Sequence, residues 1–159
     1  MTITDDSIRS KAANVALVRR FFACFAERDL VPLSTEILAP DVVWHVPGRH
    51  PLAGTHHGPE QVVAFFTELA RSGFQAEILF LQADEHRVVE VHRGWSGRQD
   101  GTDIDLTWVL VFDVENGRVV QARNFVSDQA AADTFFSAAY QLAPLPARLA
   151  VAHSGKGLR

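Results

Sequence analysis

The chain has 159 residues, a formal net charge of −4 and 47% hydrophobic residues. This composition predicts one folded domain rather than a disordered segment. The negative charge argues against a nucleic-acid partner, which usually meets a basic protein face.

Three further features narrow the class of protein. The single cysteine, Cys24, excludes an internal disulfide and a multi-thiolate zinc site. No apolar stretch reaches the roughly 18 residues of a membrane span. The N-terminal segment MTITDDSIRSK lacks the apolar core of a signal peptide. We therefore expect a cytoplasmic globular protein that binds neither nucleic acid nor membrane.

The first half of the chain predicts mostly helices. Apolar residues recur at spacings of three and four between Val15 and Phe25, which is typical of a helix. Pro59 suits the first position of a later helix, where its missing N–H costs little. The predicted elements are a helix over 11–28, a short helix over 29–38, a strand over 41–46, a loop over 48–58 and a helix over 59–73.

The second half predicts mostly strands. Asn116 and Gly117 lie between two β-rich runs, and this dipeptide is a strong hairpin signal. The predicted elements are strands over 74–80, 87–96, 102–114 and 118–127, and a final helix over 129–140. Helices followed by a mainly antiparallel curved sheet define an α+β architecture.

Three strings resemble the nuclear transport factor 2-like superfamily and, within it, the SnoaL-like group: DVVWHVPG (41–48), LAGTHHGPEQVVAFF (52–66) and NGRVVQARNFVSD (116–128). The resemblance implies a cone, in which a curved sheet wraps a hydrophobic pocket closed by N-terminal helices. It gives a single domain over 1–140, with a C-terminal extension over 141–159. Family members include ketosteroid isomerases, polyketide cyclases, epoxide hydrolases and non-catalytic binding modules, so the fold alone does not decide function.

The resemblance to ketosteroid isomerases places polar catalytic groups at three positions. The oxyanion-donating tyrosine falls at Phe21, the basic aspartate at Val46 and the second oxyanion donor near Val109. All three are apolar in this chain. The sequence therefore lacks the base and the oxyanion donors of steroid isomerisation at those places.

The resemblance to epoxide hydrolases and cyclases points to the last strands. The hydrolase aspartate and the cyclase acid–base aspartate both fall at or near Asn124. The hydrolase arginine is kept as Arg93, whereas its acid two residues later is Trp95. Asparagine cannot deprotonate water, so neither mechanism transfers intact.

A regular hairpin around Asn116 and Gly117 would pair Val109 with Asn124, Thr107 with Val126 and Asp105 with Asp128. These pairs share one face, which we assign to the pocket. Trp108, Leu110 and Phe112 then lie on the outer face, which is too apolar to leave in water. We expect a homodimer through this outer face, and the alternative is that the segment 141–159 covers it.

The facing carboxylates of Asp105 and Asp128 would repel each other. They could share a proton, flank a cation such as Arg93, or separate where the strands splay. Asp128, which precedes the last helix, is the better candidate acid.

Four histidines lie in or near the loop after the first strand: His45, His50, His56 and His57. A flexible-looking loop does not fix the ligand spacing that a metal needs, so we interpret it as a polar loop at the pocket mouth. We expect no metal, and we keep His45 as a candidate ligand contact. The aligned positions give two sets of candidate site residues. The catalytic set is Asp128, Asp105, Asn124, Arg93 and His45, and the substrate-binding set is Phe21, Trp44, Phe66, Trp95, Val109 and Val126.

Two functions remain open. The first is a cofactor-independent cyclase, isomerase or hydratase acting on a small hydrophobic carbonyl or epoxide. The second is a non-catalytic ligand-binding or dimerisation module with the same fold. The apolar Phe21, Val46 and Val109 favour the second, whereas Arg93, Asn124 and the pair of Asp105 and Asp128 favour the first.

Overall fold

A computed structural model describes residues 5–97 and 103–140. The helices are α1 (Asp5–Glu27), α2 (Gly58–Arg71) and α3 (Gln129–Ala139), with a π-helical turn at Leu33–Ile37. The strands are β1 (Leu38–Val46), β2 (Gly54–His57), β3 (Gln75–Ala83), β4 (Arg87–Gly97), β5 (Asp103–Glu115) and β6 (Arg118–Val126). The predicted α+β class is confirmed. The predicted extension 141–159 lies outside the described residues.

The six strands form one mixed sheet in the order β2-β1-β6-β5-β4-β3. All neighbouring strands are antiparallel except β1 and β6, which are parallel. The sheet is not closed into a barrel, and it has the cone form that the resemblance implied. Of the helices in the described part of the chain, none is long and apolar enough to cross a membrane.

Two predicted boundaries differ from the structure. α1 begins at Asp5 rather than at residue 11, and two carboxylates, Asp5 and Asp6, lie in its first turn, where the helix dipole favours negative charge. The predicted loop over 48–58 contains a strand, because Gly54–His57 pairs with β1. Short edge strands of this kind carry little hydrophobic pattern, which explains why the sequence did not indicate one.

The core lies between the concave face of the sheet and the helices α1, α2 and α3. Phe21 of α1 is at its centre, with its ring centroid 5.4 Å from that of Trp44, 5.1 Å from that of Phe66 and 5.8 Å from that of Phe112. All four side chains are buried. The aromatic cluster therefore joins both long helices to two strands.

The β5–β6 hairpin corrects the predicted register. Glu115 pairs with Arg118 as expected, but Val120 is an extra residue, and beyond this bulge Leu110 opposes Asn124 and Phe112 opposes Ala122. The predicted pairing of Val109 with Asn124 is therefore wrong by one residue. As a result, the predicted outer residues Trp108, Leu110 and Phe112 face the core and are buried.

Candidate functional site

The helices and the concave face of the sheet enclose a cavity of about 40 Å³. Its walls are mostly aromatic and aliphatic, and three of the lining residues carry polar side chains: His50, His92 and Asn124. A cavity of roughly 150 Å³ is known to bind benzene. The space in this protein therefore holds a few water molecules at most, and a larger ligand needs the aromatic walls to move.

Asn124 presents hydrogen-bond donors to this cavity. The bulge at Val120 turns Asn124 to the inner face of β6, where its Oδ1 accepts a hydrogen bond from Trp44 Nε1 at 2.7 Å. Because that bond occupies the amide oxygen, Nδ2 is the end left for a ligand. Among the residues that the structure describes, none accepts a hydrogen bond from Nδ2.

A buried acid–base pair lies on the inner face of β4. His92 Nδ1 is 2.8 Å from Glu90 Oε2, and both side chains are buried. Burial raises the pKa of Glu90, and the hydrogen bond from His92 opposes that rise. The other carboxyl oxygen, Oε1, has no hydrogen-bond partner within the described part of the chain. His92 lines the cavity, so its second ring nitrogen, Nε2, is the one available to a ligand.

The loop between β1 and β2 closes the cavity near α3. His50 lines the cavity, and its ring centroid lies 4.8 Å from that of Phe136. Burial lowers the pKa of His50, while the nearby Asp133 and the Pro47 backbone oppose the shift. Asp133 of α3 accepts a hydrogen bond from the Arg49 backbone N–H at 2.9 Å, which fastens this loop to the helix.

The predicted ligand contacts divide into three groups. Phe21 and Phe66 line the cavity. Trp44 is fully buried and reaches the cavity indirectly through its bond to Asn124, and Val126 packs against the core without lining the cavity. The assignment of Val109 to the pocket face is wrong, because Val109 alternates with buried residues and faces the other side of the sheet. Trp95 does not line this cavity and instead lines a separate groove beside Phe25 and Phe74.

The placement of Arg93 and Asp105 on the pocket face is also wrong. Arg93 donates two hydrogen bonds to Asp105, at 2.8 Å and 2.6 Å, on the outer face of the sheet. Its guanidinium stacks over the Trp95 ring, 4.7 Å from the centroid. The Arg93 hydrogen bond lowers the pKa of Asp105. The predicted ion pair therefore exists, but it lies away from the cavity.

Asp128 and His45 also lie outside the cavity lining. Asp128 caps α3, since its Oδ1 accepts a hydrogen bond from Ala131 N at 2.9 Å. β6 ends at Val126, and Asp105 and Asp128 each have their own partner, so the predicted facing pair of carboxylates is wrong. His45 bonds Thr55 Oγ1 at 3.1 Å, on the face of β1 opposite Trp44.

The sequence reasoning missed Glu90 and His92, and it placed His50 only in a polar loop at the pocket mouth. Glu90 and His92 are two residues apart in a strand, so they share a face, and that spacing was the available signal. His50 carried no such signal, because its burial depends on how the loop packs against α3. Within the residues that the structure describes, no three His, Cys, Asp or Glu side chains converge to hold a metal ion.

The comparisons with known proteins agree with this architecture. The family model of the SnoaL-like domain matches residues 18–122. An uncharacterised protein of Mycobacterium tuberculosis is 36% identical over 139 residues, which cover 85% of this chain and 100% of that protein. The chain therefore belongs to the SnoaL-like family of the nuclear transport factor 2-like superfamily, as the sequence strings indicated.

Solved structures show the same fold. Bal32a, from a soil-derived mobile gene cassette, matches with a TM-score of 0.74 and 34% identity over 80% of this chain and 98% of its own. An NTF2-like protein of unknown function from Burkholderia pseudomallei matches with a TM-score of 0.70 and 27% identity over 79% of this chain and 98% of its own.

Proposed function

We propose that this SnoaL-like protein binds a small hydrophobic molecule with a carbonyl or epoxide oxygen and rearranges it without a cofactor, as a cyclase, isomerase or hydratase does. The observation that carries the proposal is Asn124. It places an amide donor without a described protein partner in a cavity whose other walls are mainly apolar. Ligand pockets commonly combine apolar walls with a few fixed polar groups.

Asn124 can act on the ligand as well as bind it. Trp44 fixes the amide, so little reorganisation is needed when negative charge develops on the ligand oxygen. A pre-oriented donor in an apolar site stabilises such charge more than it would in water. The same geometry serves cyclisation, isomerisation and epoxide opening, because each of them builds charge on an oxygen.

Ligand entry requires Phe22 to move. Its side chain lines the cavity and is only partly buried, and its ring centroid lies 5.3 Å from that of His92. A partly exposed aromatic side chain at the end of a cavity can change rotamer at less cost than a fully buried one. We therefore place the entrance at Phe22 on α1.

The second candidate is a non-catalytic binding module. It is favoured by Phe21 and Val46, which line the cavity at positions where the resemblance puts an oxyanion donor and a basic aspartate. Under this alternative, the protein binds the same apolar carbonyl compounds and leaves them unchanged.

The proposal is tested with 1-tetralone, an apolar ketone, and tetralin, its hydrocarbon counterpart. Calorimetry should show that Asn124→Leu weakens 1-tetralone binding by about 2- to 12-fold, the value of one hydrogen bond. Tetralin binding should stay within twofold. Equal losses for both ligands, or no 1-tetralone binding to the wild type, would contradict the proposal. A melting curve of the variant checks folding, since Trp44 loses its partner.

A further inference from the structure

We propose that His92, held by Glu90, is the proton-transferring residue of this site and acts on carbon next to the ligand carbonyl. The inference rests on the proposed function, because it requires a carbonyl compound in the same cavity. It adds the base that the aligned family positions Phe21 and Val46 do not supply. His92 would be the catalytic residue and Glu90 a positioning residue.

The arrangement of strands brings His92 and Asn124 to one side of the sheet. Glu90 opposes Leu110 on β5, and Leu110 opposes Asn124 on β6, so all three share a row. Adjacent strands are about 4.8 Å apart, which puts the backbones at the ends of this row roughly 10 Å apart. His92 lies at the next inward position of β4. A small ketone can therefore place its oxygen at Asn124 and its neighbouring carbon towards His92.

The Glu90 carboxylate determines which nitrogen of the His92 ring can take a proton from the ligand. With Oε2 accepting from Nδ1–H, the lone pair is on Nε2, the ring nitrogen left for the cavity. The same carboxylate balances the positive charge that the ring gains with a second proton. Burying Glu90 while its Oε1 has no hydrogen-bond partner among the described residues lowers the stability of the fold. A contribution to stability therefore does not explain this buried pair, and a role in the site does.

The proton transfer needs only His92, Asn124, the ligand and solvent water to account for every proton and electron pair. Nε2 takes a proton from the carbon next to the carbonyl, the C–H electron pair moves into a carbon–carbon double bond, and the carbonyl π pair moves to oxygen. Asn124 Nδ2–H donates to the resulting enolate oxygen. In D₂O the imidazolium Nε2–H exchanges with the solvent, and Nε2 then delivers a deuteron to the same carbon, which gives exchange. Delivery to another carbon gives an isomer. No oxidant or co-reactant is required.

The test measures deuterium exchange of 1-tetralone in D₂O by proton NMR, with binding measured on the same samples by calorimetry. The wild type should accelerate loss of the C2 proton signal above buffer. His92→Gln should lose about 100-fold or more of that acceleration, within the usual range for an acid–base group. Its dissociation constant for 1-tetralone should stay within a few fold. His86→Gln, at an exposed turn, is the matched control and should retain the wild-type rate.

Glu90→Gln separates positioning from packing. It should lower the exchange rate at saturating 1-tetralone without changing the concentration that gives half-saturation. The double variant Glu90→Leu/His92→Leu removes the buried pair without leaving a lone charge, so it should fold, bind 1-tetralone and fail to exchange it. Wild-type binding without exchange, or full exchange in His92→Gln, would overturn the proton-transfer role alone. Absence of wild-type binding would overturn the proposed function, and this role with it.

Discussion

Phe21 shows how one residue can define both the core and the cavity. Its buried ring contacts Trp44, Phe66 and Phe112, and it also forms part of the cavity wall. Phe21→Ala should lower the free energy of unfolding by about 3–5 kcal/mol, because it leaves a void in a packed region. The same void should admit larger ketones than the wild type accepts.

Denaturant unfolding and calorimetry with 1-tetralone and a bulkier ketone measure the two effects of Phe21→Ala. A stable variant with unchanged ligand preference would show that Phe21 does not form the cavity wall. Val31→Ala is the control, because that apolar side chain is 68% exposed and lies outside the sheet, so its truncation should cost much less stability.

His50 should make stability depend on pH. Burial lowers its pKa from the ordinary 6.5. Below about pH 6.5 the unfolded chain therefore takes up a proton that the folded protein does not accept until a lower pH. The free energy of unfolding should fall as pH falls below 6.5, and His50→Gln should reduce that slope. Urea titrations between pH 5 and 8 measure it, and an unchanged slope in the variant would contradict the assignment.

The candidate residues that line the cavity and those on the other face of the sheet differ in one physical respect. Phe21 and Phe66 are on helices, where spacings of three and four identify the buried face directly. Arg93 is on a strand, where an error of one position exchanges the two faces. The alternation of side chains along the same strand places Glu90 and His92 on the inner face once the inward positions of that strand are assigned correctly.

At the scale of elements, the bulge at Val120 determines which side chains of β6 face the cavity. A regular two-residue hairpin would have paired Asn124 with Val109, whereas the extra residue pairs it with Leu110 and turns it to the inner face. Bulges leave little trace in a hydrophobic pattern, so the turn at Asn116 and Gly117 was predictable and the register beyond it was not.

Gly94 of β4 is a place where the strand allows no side chain. A methyl group there would overlap the Phe74 ring and come within 2.6 Å of Trp108 Cδ1. Gly94→Ala should therefore lower the free energy of unfolding by about 1–3 kcal/mol, the usual cost of overpacking. Gly97→Ala on the same strand is the matched control, because its added methyl meets nothing within 4 Å.

Chemical denaturation of the two glycine variants decides the point. A Gly94→Ala protein as stable as Gly97→Ala would show that the Phe74 and Trp108 rings yield without cost. It would also mean that the walls of the cavity are looser than the close packing around Gly94 indicates.

At the scale of the molecule, the outer face of the sheet carries a row of apolar residues: Phe80, Val91, Val109 and Phe125. Phe80 and Phe125 are 47% and 51% exposed. These residues take the place of Trp108, Leu110 and Phe112, which the sequence analysis put on the outer face. An exposed apolar row of this kind favours association with another protein surface. We expect a homodimer that buries this row.

Light scattering at micromolar concentration tests the dimer. The wild type should give twice the chain mass of 17.6 kDa, and Phe125→Asp should give the single-chain mass. A wild-type protein of 17.6 kDa would contradict the dimer and favour the alternative, in which residues 141–159 cover the face.

The α+β class and the cone follow from patterns distributed over the whole chain, which is why the sequence predicted them. The cavity volume does not, because it depends on how rings such as Phe21, Phe22 and Phe66 pack against one another. The position of His92 in the cavity wall follows from strand parity, whereas the closure by His50 follows from tertiary packing alone.

Ligand binding in the cavity is tested most directly by proton–nitrogen NMR during titration with 1-tetralone. The three tryptophans report separately: Trp44 bonds Asn124, Trp108 lines the cavity and Trp95 lies outside the cavity lining. The side-chain amide of Asn124 and the indole signals of Trp44 and Trp108 should shift together and saturate, while the indole signal of Trp95 stays in place. A titration that leaves the Asn124 amide unmoved, or that shifts Trp95 alone, would contradict a carbonyl-binding cavity.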